Sequence, residues 1–191
     1  MGMKVCTFFG HKDCPETVKP ILMALLEDMI IEEGVSVIYV GNQGRFDAYV
    51  RCVLSELMDV HSYIYYAVVL PYVPGHTQEY VNYEDTMVPE GVEAVHPKYA
   101  ITWRNNWMLK RADYVVTHIT HQFGGAAQFA EKAHRQGKTV INITGEDYEF
   151  LPTRILERML RNERNNICLL TDDTYNAIHK VLKRRIDRQG V

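Results

Sequence analysis

The sequence predicts a doubly wound α/β fold, with a mainly parallel sheet flanked by helices, and two observations carry that prediction. Short apolar runs alternate along the chain with segments of helical period, and three of those runs break on glycine. The three are residues 5–9 into Gly10, Val35–Val40 into Gly41-Asn42-Gln43-Gly44, and residues 114–119 toward Gly124-Gly125. Runs this short and β-branched, apolar on both faces, are strands covered on both sides. In a parallel sheet every strand-to-helix turn falls on one edge. Three glycine turns are therefore expected to gather bare N–H groups and helix N-termini around one crevice, an anion site suited to phosphate.

The elements follow in order. After the first strand, Asp13 and Glu16 have the spacing of a capping box with Pro15 in the first turn, and Val18, Ile21, Leu22, Leu25 and Met29 form one apolar stripe up to Gly34. A second helix over 45–58 carries Val50, Val53, Leu54 and Leu57, and 64–70 supplies a third strand. Right-handed crossovers then require the chain to change faces after that strand, giving the order 3-2-1-4-5 and a crevice beside strand one. Residues 71–96 break the rhythm with Pro71, Pro74, Gly75, Pro89 and Gly91 among Tyr72, Tyr80, Tyr83 and the acids Glu79, Glu84, Asp85, Glu90 and Glu93. A loop of that length is either a binding loop or a surface excursion packed on its tyrosines. Pro97 starts the next helix, through Ile101, Met108 and Ala112, and a fourth strand follows from Asp113. A helix over 125–136 stops at Gly137, and 139–143 is the fifth strand. The core thus covers 4–143. A C-terminal βα extension over 146–191 reads as a helix at 151–161, a short strand at 167–170 and a last helix capped near Thr171 or Asp172.

Composition sets the outer bounds. A chain of 191 residues that is 47% apolar suits one domain, 1–191. A formal charge of −3 gives no global attraction to nucleic acid, and no apolar run has the length of a bilayer span. The four cysteines, Cys6, Cys14, Cys52 and Cys168, form no C-x-x-C pair, and no secretory signal opens the sequence. Free thiols and a cytoplasmic location are expected. Gly2 does not read as a lipidation site, because Cys6 stands where the motif needs Ser or Thr.

Two segments are candidates for chemistry. In Gly41-Asn42-Gln43-Gly44-Arg45-Phe46-Asp47 the glycines allow close approach of a phosphate and Asn42 or Gln43 can donate to its oxygens, although the P-loop lysine is absent. On that reading Gly44→Val blocks the ligand without unfolding the protein. The competing reading is a tight turn in which Asp47 serves the helix N-terminus. Arg104 lies on the apolar stripe between Ile101 and Met108, in the half of its helix where a cation opposes the dipole. A packed arginine whose head reaches solvent is the alternative to a functional one. Glu131, four residues before Arg135, needs no function when judged alone. His118 and His121 lack a third metal ligand, so neither metal nor cofactor is expected; His11 faces the first turn as a ligand contact, and Cys14 beside it lacks an orienting partner. The basic set from Lys180 to Arg188 reads as a solvated helix end.

Taken together, Arg104-Asn105-Asn106-Trp107-Met108 with Ala112-Asp113, then Phe123-Gly124-Gly125-Ala126-Ala127-Gln128-Phe129-Ala130-Glu131, resemble the SLOG superfamily, the group of SMF/DprA and LOG proteins. The openings Phe9-Gly10-His11-Lys12-Asp13 and Gly41 to Asp47 are similar to its YpsA/YoqJ-like branch. The resemblance spans about residues 4 to 143 and implies a Rossmann-like fold. It matches Arg104 and Glu131 to the arginine and glutamate of LOG phosphoribohydrolases, and Gly124 and Gly125 to their paired glycines. Phe123, Ala127 and Gln128 replace the Pro, Gly and Thr of that motif. What it implies is therefore stronger for a nucleotide-type ligand, held at Gly10, His11, Gly41, Asn42, Gln43, Gly44, Asp47, Gly124, Gly125 and Ala126, than for hydrolysis by Arg104 and Glu131. Three functions stand in order: a binder of a nucleotide or nucleotide-derived ligand acting as sensor, scavenger or regulatory module, a LOG-like hydrolase of nucleoside monophosphates, and a DprA-like DNA-handling protein. Whether the chain turns over substrate or forms a homo-oligomer stays open at this stage.

Overall fold

The computed structural model describes residues 2–72, 85–145 and 148–189. Six parallel strands form one sheet: β1 (Lys4–Gly10), β2 (Val35–Val40), β3 (Tyr65–Val69), β4 (Thr86–Met87), β5 (Tyr114–His118) and β6 (Thr139–Asn142). Their order is β4-β3-β2-β1-β5-β6. The five strands read from the sequence occur in the expected order, and β4 adds a two-residue edge strand inside the Pro/Gly-rich segment. Of the tyrosines and acids expected there, Tyr80, Tyr83, Glu79 and Glu84 lie outside the described residues.

The helices are α1 (Lys19–Ile31), α2 (Gly44–Val60), α3 (Pro97–Arg111), α4 (Gly125–Arg135), α5 (Thr153–Arg164) and α6 (Asp172–Gln189). The strands alternate their side chains between two apolar clusters, as a sheet covered on both faces must. Phe8, Ile38, Val68 and Val116 face α1, α2, α5 and α6. Their neighbours Phe9, Val69 and Val115 face Met108 and Leu109 of α3 and Phe129 and Ala133 of α4. The sheet is thus wound in two directions from β1, and β1/β5 is the point where the strand order reverses.

Two expectations at helix and strand ends are corrected. The Asp13/Glu16 capping box does not form: a 3-10 turn at Glu16–Val18 comes first, α1 begins at Lys19 with Pro20 in its first turn, and Glu16 pairs with Lys19 at 2.8 Å. Residues 167–170 form no strand. The four apolar residues instead follow the end of α5, where the Ile167 N–H donates to the Asn162 carbonyl at 2.9 Å. The C-terminal extension is accordingly a helix pair, tied to α1 through buried Asp28, which Arg154 reaches at 2.9 Å and Arg158 at 3.6 Å.

Candidate functional site

The loop that follows β1 is the hub of the sheet's C-terminal edge. Its His11 N–H donates to the His118 carbonyl at the end of β5 (3.1 Å), and its Lys12 carbonyl accepts from the Arg45 N–H at the start of α2 (3.3 Å). The turns after β1, β2 and β5 are thereby brought together on one rim, with the turn after β5 leading into Gly124-Gly125. His11 Nδ1 accepts from the Thr120 N–H at 3.3 Å and lies 3.0 Å from the Thr120 hydroxyl. An acceptor Nδ1 places the proton of the neutral ring on Nε2. The rings of His11 and His121 stack at 3.7 Å, and His121 stacks in turn on Phe123 at 3.8 Å. Burial, followed by the neighbouring His121, lowers the His11 pKa below its ordinary value, and burial followed by His11 lowers that of His118. His11 Nε2, His118 Nδ1 and His121 Nδ1 are buried with no hydrogen-bond partner among the described residues.

The glycines divide by what surrounds them. At Gly10 a Cβ would overlap the ring of Phe46, and at Gly41 it would overlap the Asp47 carboxylate and sit 2.6 Å from Arg104 Nη1, so both serve internal packing. Gly44 has a φ of +85°, and a Cβ there would lie 2.9 Å from Lys12 Cα. Gly44→Val therefore strains the backbone and the hub loop, contrary to the expectation that it leaves the fold untouched. Around Gly124, with φ +95°, and Gly125 the space is open, and no side chain caps α4. A helix's first turn leaves its N–H groups without intrahelical partners, so this end presents bare donors to the rim.

The predicted polar residues fall in different places. Asp47 is buried and its Oδ2 accepts the Gln43 N–H at 2.9 Å, serving the start of α2 from inside. Burial raises its pKa from 3.8 to about 6, against the opposing pull of that hydrogen bond and of Arg104. Arg104 is only 2% exposed; its Nη1 donates to the Val69 carbonyl at the end of β3 (3.0 Å), and its head lies against Gly41 and the field of Asp47. Glu131 points to solvent on α4 and pairs with Arg135 at 2.7 Å. The structure thus brings Arg104 to Asp47 and leaves Glu131 outside that cluster. Asn42 is half-buried, Gln43 is exposed and Ala126 is half-buried at the start of α4.

Two features of this edge escaped the sequence. Lys12 and Arg45 are exposed cations on the rim, and neither forms an ion pair among the described residues; they are adjacent only because Gly44 lets the second turn lie against the first. A cleft of about 770 Å³ opens beside the hub, between the starts of α1 and α6 and over the ends of β5 and β6. Its walls include His118, Thr120, Thr144, Tyr148 and Thr174. These residues come from three separate segments with no local spacing to betray them. No group of three His, Cys, Asp or Glu side chains among the described residues is placed to hold a metal ion.

No known protein family profile matches the chain, and no curated protein matches it. Among solved structures it is similar to DNA processing protein A (DprA) from Streptococcus pneumoniae, with a TM-score of 0.52 at 15% identity over 90% of this chain. The two share a fold. That fold is the Rossmann-like α/β sheet. The chain spans 59% of that protein's length. Among the described residues no helix is long and apolar enough to cross a membrane.

Proposed function

We propose that the chain binds a nucleotide or nucleotide-derived, phosphate-bearing ligand at the C-terminal edge of its sheet, as a sensor, scavenger or regulatory module of the YpsA/YoqJ-like kind. One observation carries the reading: at the point where the strand order reverses, α4 opens on Gly124-Gly125 with no cap and empty space above it. Open α/β sheets bind ligands at that position, and a bare helix N-terminus favours phosphate. Lys12 and Arg45 add positive charge along the same rim.

Binding is favoured over hydrolysis by where the two LOG-matched residues lie. Arg104 spends its charge inside the protein on Val69 and Asp47, and Glu131 spends its own on Arg135. A carboxylate that stabilised a developing oxocarbenium would have to face the sugar. The DNA-handling reading draws on the DprA likeness alone, and the formal charge of −3 gives it no electrostatic support.

A thermal-shift screen of nucleoside monophosphates, cyclic nucleotides and dinucleotides tests the proposal, since a ligand of the folded state raises Tm by mass action. Gly125→Asp puts a carboxylate where the phosphate would sit, at a position with room for a side chain and no strained φ. The shift is expected with the native protein and with Gly125→Ala, and its loss is expected with Gly125→Asp. No shift at millimolar ligand in the native protein overturns the reading.

A further inference from the structure

We propose that the cleft between the starts of α1 and α6 holds the ribose of the ligand, with Asp173 as acceptor for its 2′ and 3′ hydroxyls. This inference rests on the phosphate-bearing ligand proposed above and assigns the part of it that the glycine rim does not take. The cleft and the rim are joined through Thr120, which lines the cleft and meets His11 of the hub.

The chemistry of the walls points to a donor-rich, uncharged group. At about 770 Å³ the cleft falls in the size range of small-molecule sites. Among its described lining residues there is no lysine or arginine, so it offers a phosphate no countercharge. Four of the six hydroxyl protons on its described walls are engaged within the protein, those of Thr17 and of one member of the Thr174–Tyr148 pair being uncommitted. Thr144 donates to the Ile119 carbonyl at 3.0 Å and accepts from Asn142 at 2.7 Å. The Thr171 hydroxyl donates to that of Thr174 (3.0 Å), which meets the Tyr148 hydroxyl at 3.2 Å. With His11 Nδ1 as acceptor, the Thr120 proton is spent there. Each hydroxyl has one donor and two acceptor sites, so what remains toward the cleft is mainly lone pairs. The exposed Asp173 carboxylate adds to them, without a hydrogen bond or ion pair from the described residues. Buried His118 on the same wall keeps its Nδ1 unpartnered. Acceptors need donors, which a sugar's hydroxyls supply, while Val18, Ile21, Ile143 and Ala177 give the ring carbons an apolar floor.

An acid in the first turn of a helix needs no ligand by itself. What distinguishes Asp173 is that it completes an acceptor-lined cavity that carries no cation.

Calorimetric titration with adenosine monophosphate, its 2′,3′-dideoxy analogue and inorganic pyrophosphate decides the matter. In the native protein the dideoxy analogue is expected to bind about tenfold more weakly than the monophosphate, the size of a hydrogen bond to a charged group. Asp173→Ala is expected to weaken the monophosphate about tenfold and to leave the dideoxy analogue unchanged, which also shows that the variant is folded. Equal affinity for the two nucleotides in the native protein, or a variant that weakens both alike or neither, overturns the ribose assignment while the phosphate rim stands. Binding of pyrophosphate as tight as that of the monophosphate overturns it as well. If neither nucleotide nor pyrophosphate binds, the parent reading fails and this one with it.

Discussion

Replacing Arg104 by methionine removes a cation that is 2% exposed, keeps most of the volume of its stem, and tests the claim that its charge works inside the protein. Two losses follow. The Val69 carbonyl loses the donor at 3.0 Å, and an unsatisfied buried acceptor costs about 1–3 kcal/mol. Asp47 loses the positive field that holds down a pKa already raised by burial to about 6. At ~1.4 kcal/mol per pH unit, carrying Asp47 ionised into the fold costs about 3 kcal/mol at pH 7, and full protonation caps that cost near 4 kcal/mol. The missing cation therefore adds about 1 kcal/mol through Asp47, for a total of about 2–4 kcal/mol at pH 7. The pH dependence has a definite sign. A carboxyl whose folded pKa is raised contributes stability that is fully present below about 3.8 and is lost as pH rises through about 6. At pH 5 Asp47 is already mostly protonated in the native protein, so the charge-dependent part disappears. Urea denaturation of both proteins at pH 7 and pH 5 should give a ΔΔG smaller by about 1 kcal/mol at the lower pH. A difference that is independent of pH, or larger at pH 5, would refute the Arg104–Asp47 coupling.

Gly44→Val should lower stability by about 2–4 kcal/mol, from the strained φ of +85° and the contact with Lys12, visible as a fall in Tm; an unchanged Tm contradicts the turn geometry. Glu131→Gln breaks only a solvent-exposed pair, so nucleotide affinity and stability should stay within about 0.5 kcal/mol of native, and a nucleoside-monophosphate hydrolase activity lost in that variant would restore the enzyme reading. Burial pushes the Cys14 thiol up to about 12 and raises that of Cys6 further, so a thiol reagent at pH 8 should label exposed Cys52 first; early labelling of Cys14 would contradict its packing.

The architecture was legible because its signals are local and repeated. Runs such as Val35–Val40 and 114–119 announce covered strands, and the crossover rule orders them. Strand β4 was not legible: two residues, Thr86 and Met87, have no period and pair with β3 only because the chain passes its edge. The run 167–170 misled for the opposite reason, since an apolar tetrad reads as a strand whether or not the chain carries it to the sheet. Arg104 was visible as an oddity on an apolar stripe, but its partner Asp47 lies on another helix, and only the fold makes Gly41 the point where they meet. The same holds for the cleft. Thr120, Thr144, Tyr148 and Thr174 are ordinary residues in three segments, and no spacing rule can collect them.

The central claim, a phosphate held by the bare start of α4, is met most directly by following backbone amide resonances during titration with adenosine monophosphate. Saturable shifts are expected at Gly124, Gly125, Ala126 and Ala127, together with His11 and Lys12 of the hub loop. Saturation of the protein with no change at those amides, or with the changes confined to the far edge of the sheet, would contradict it.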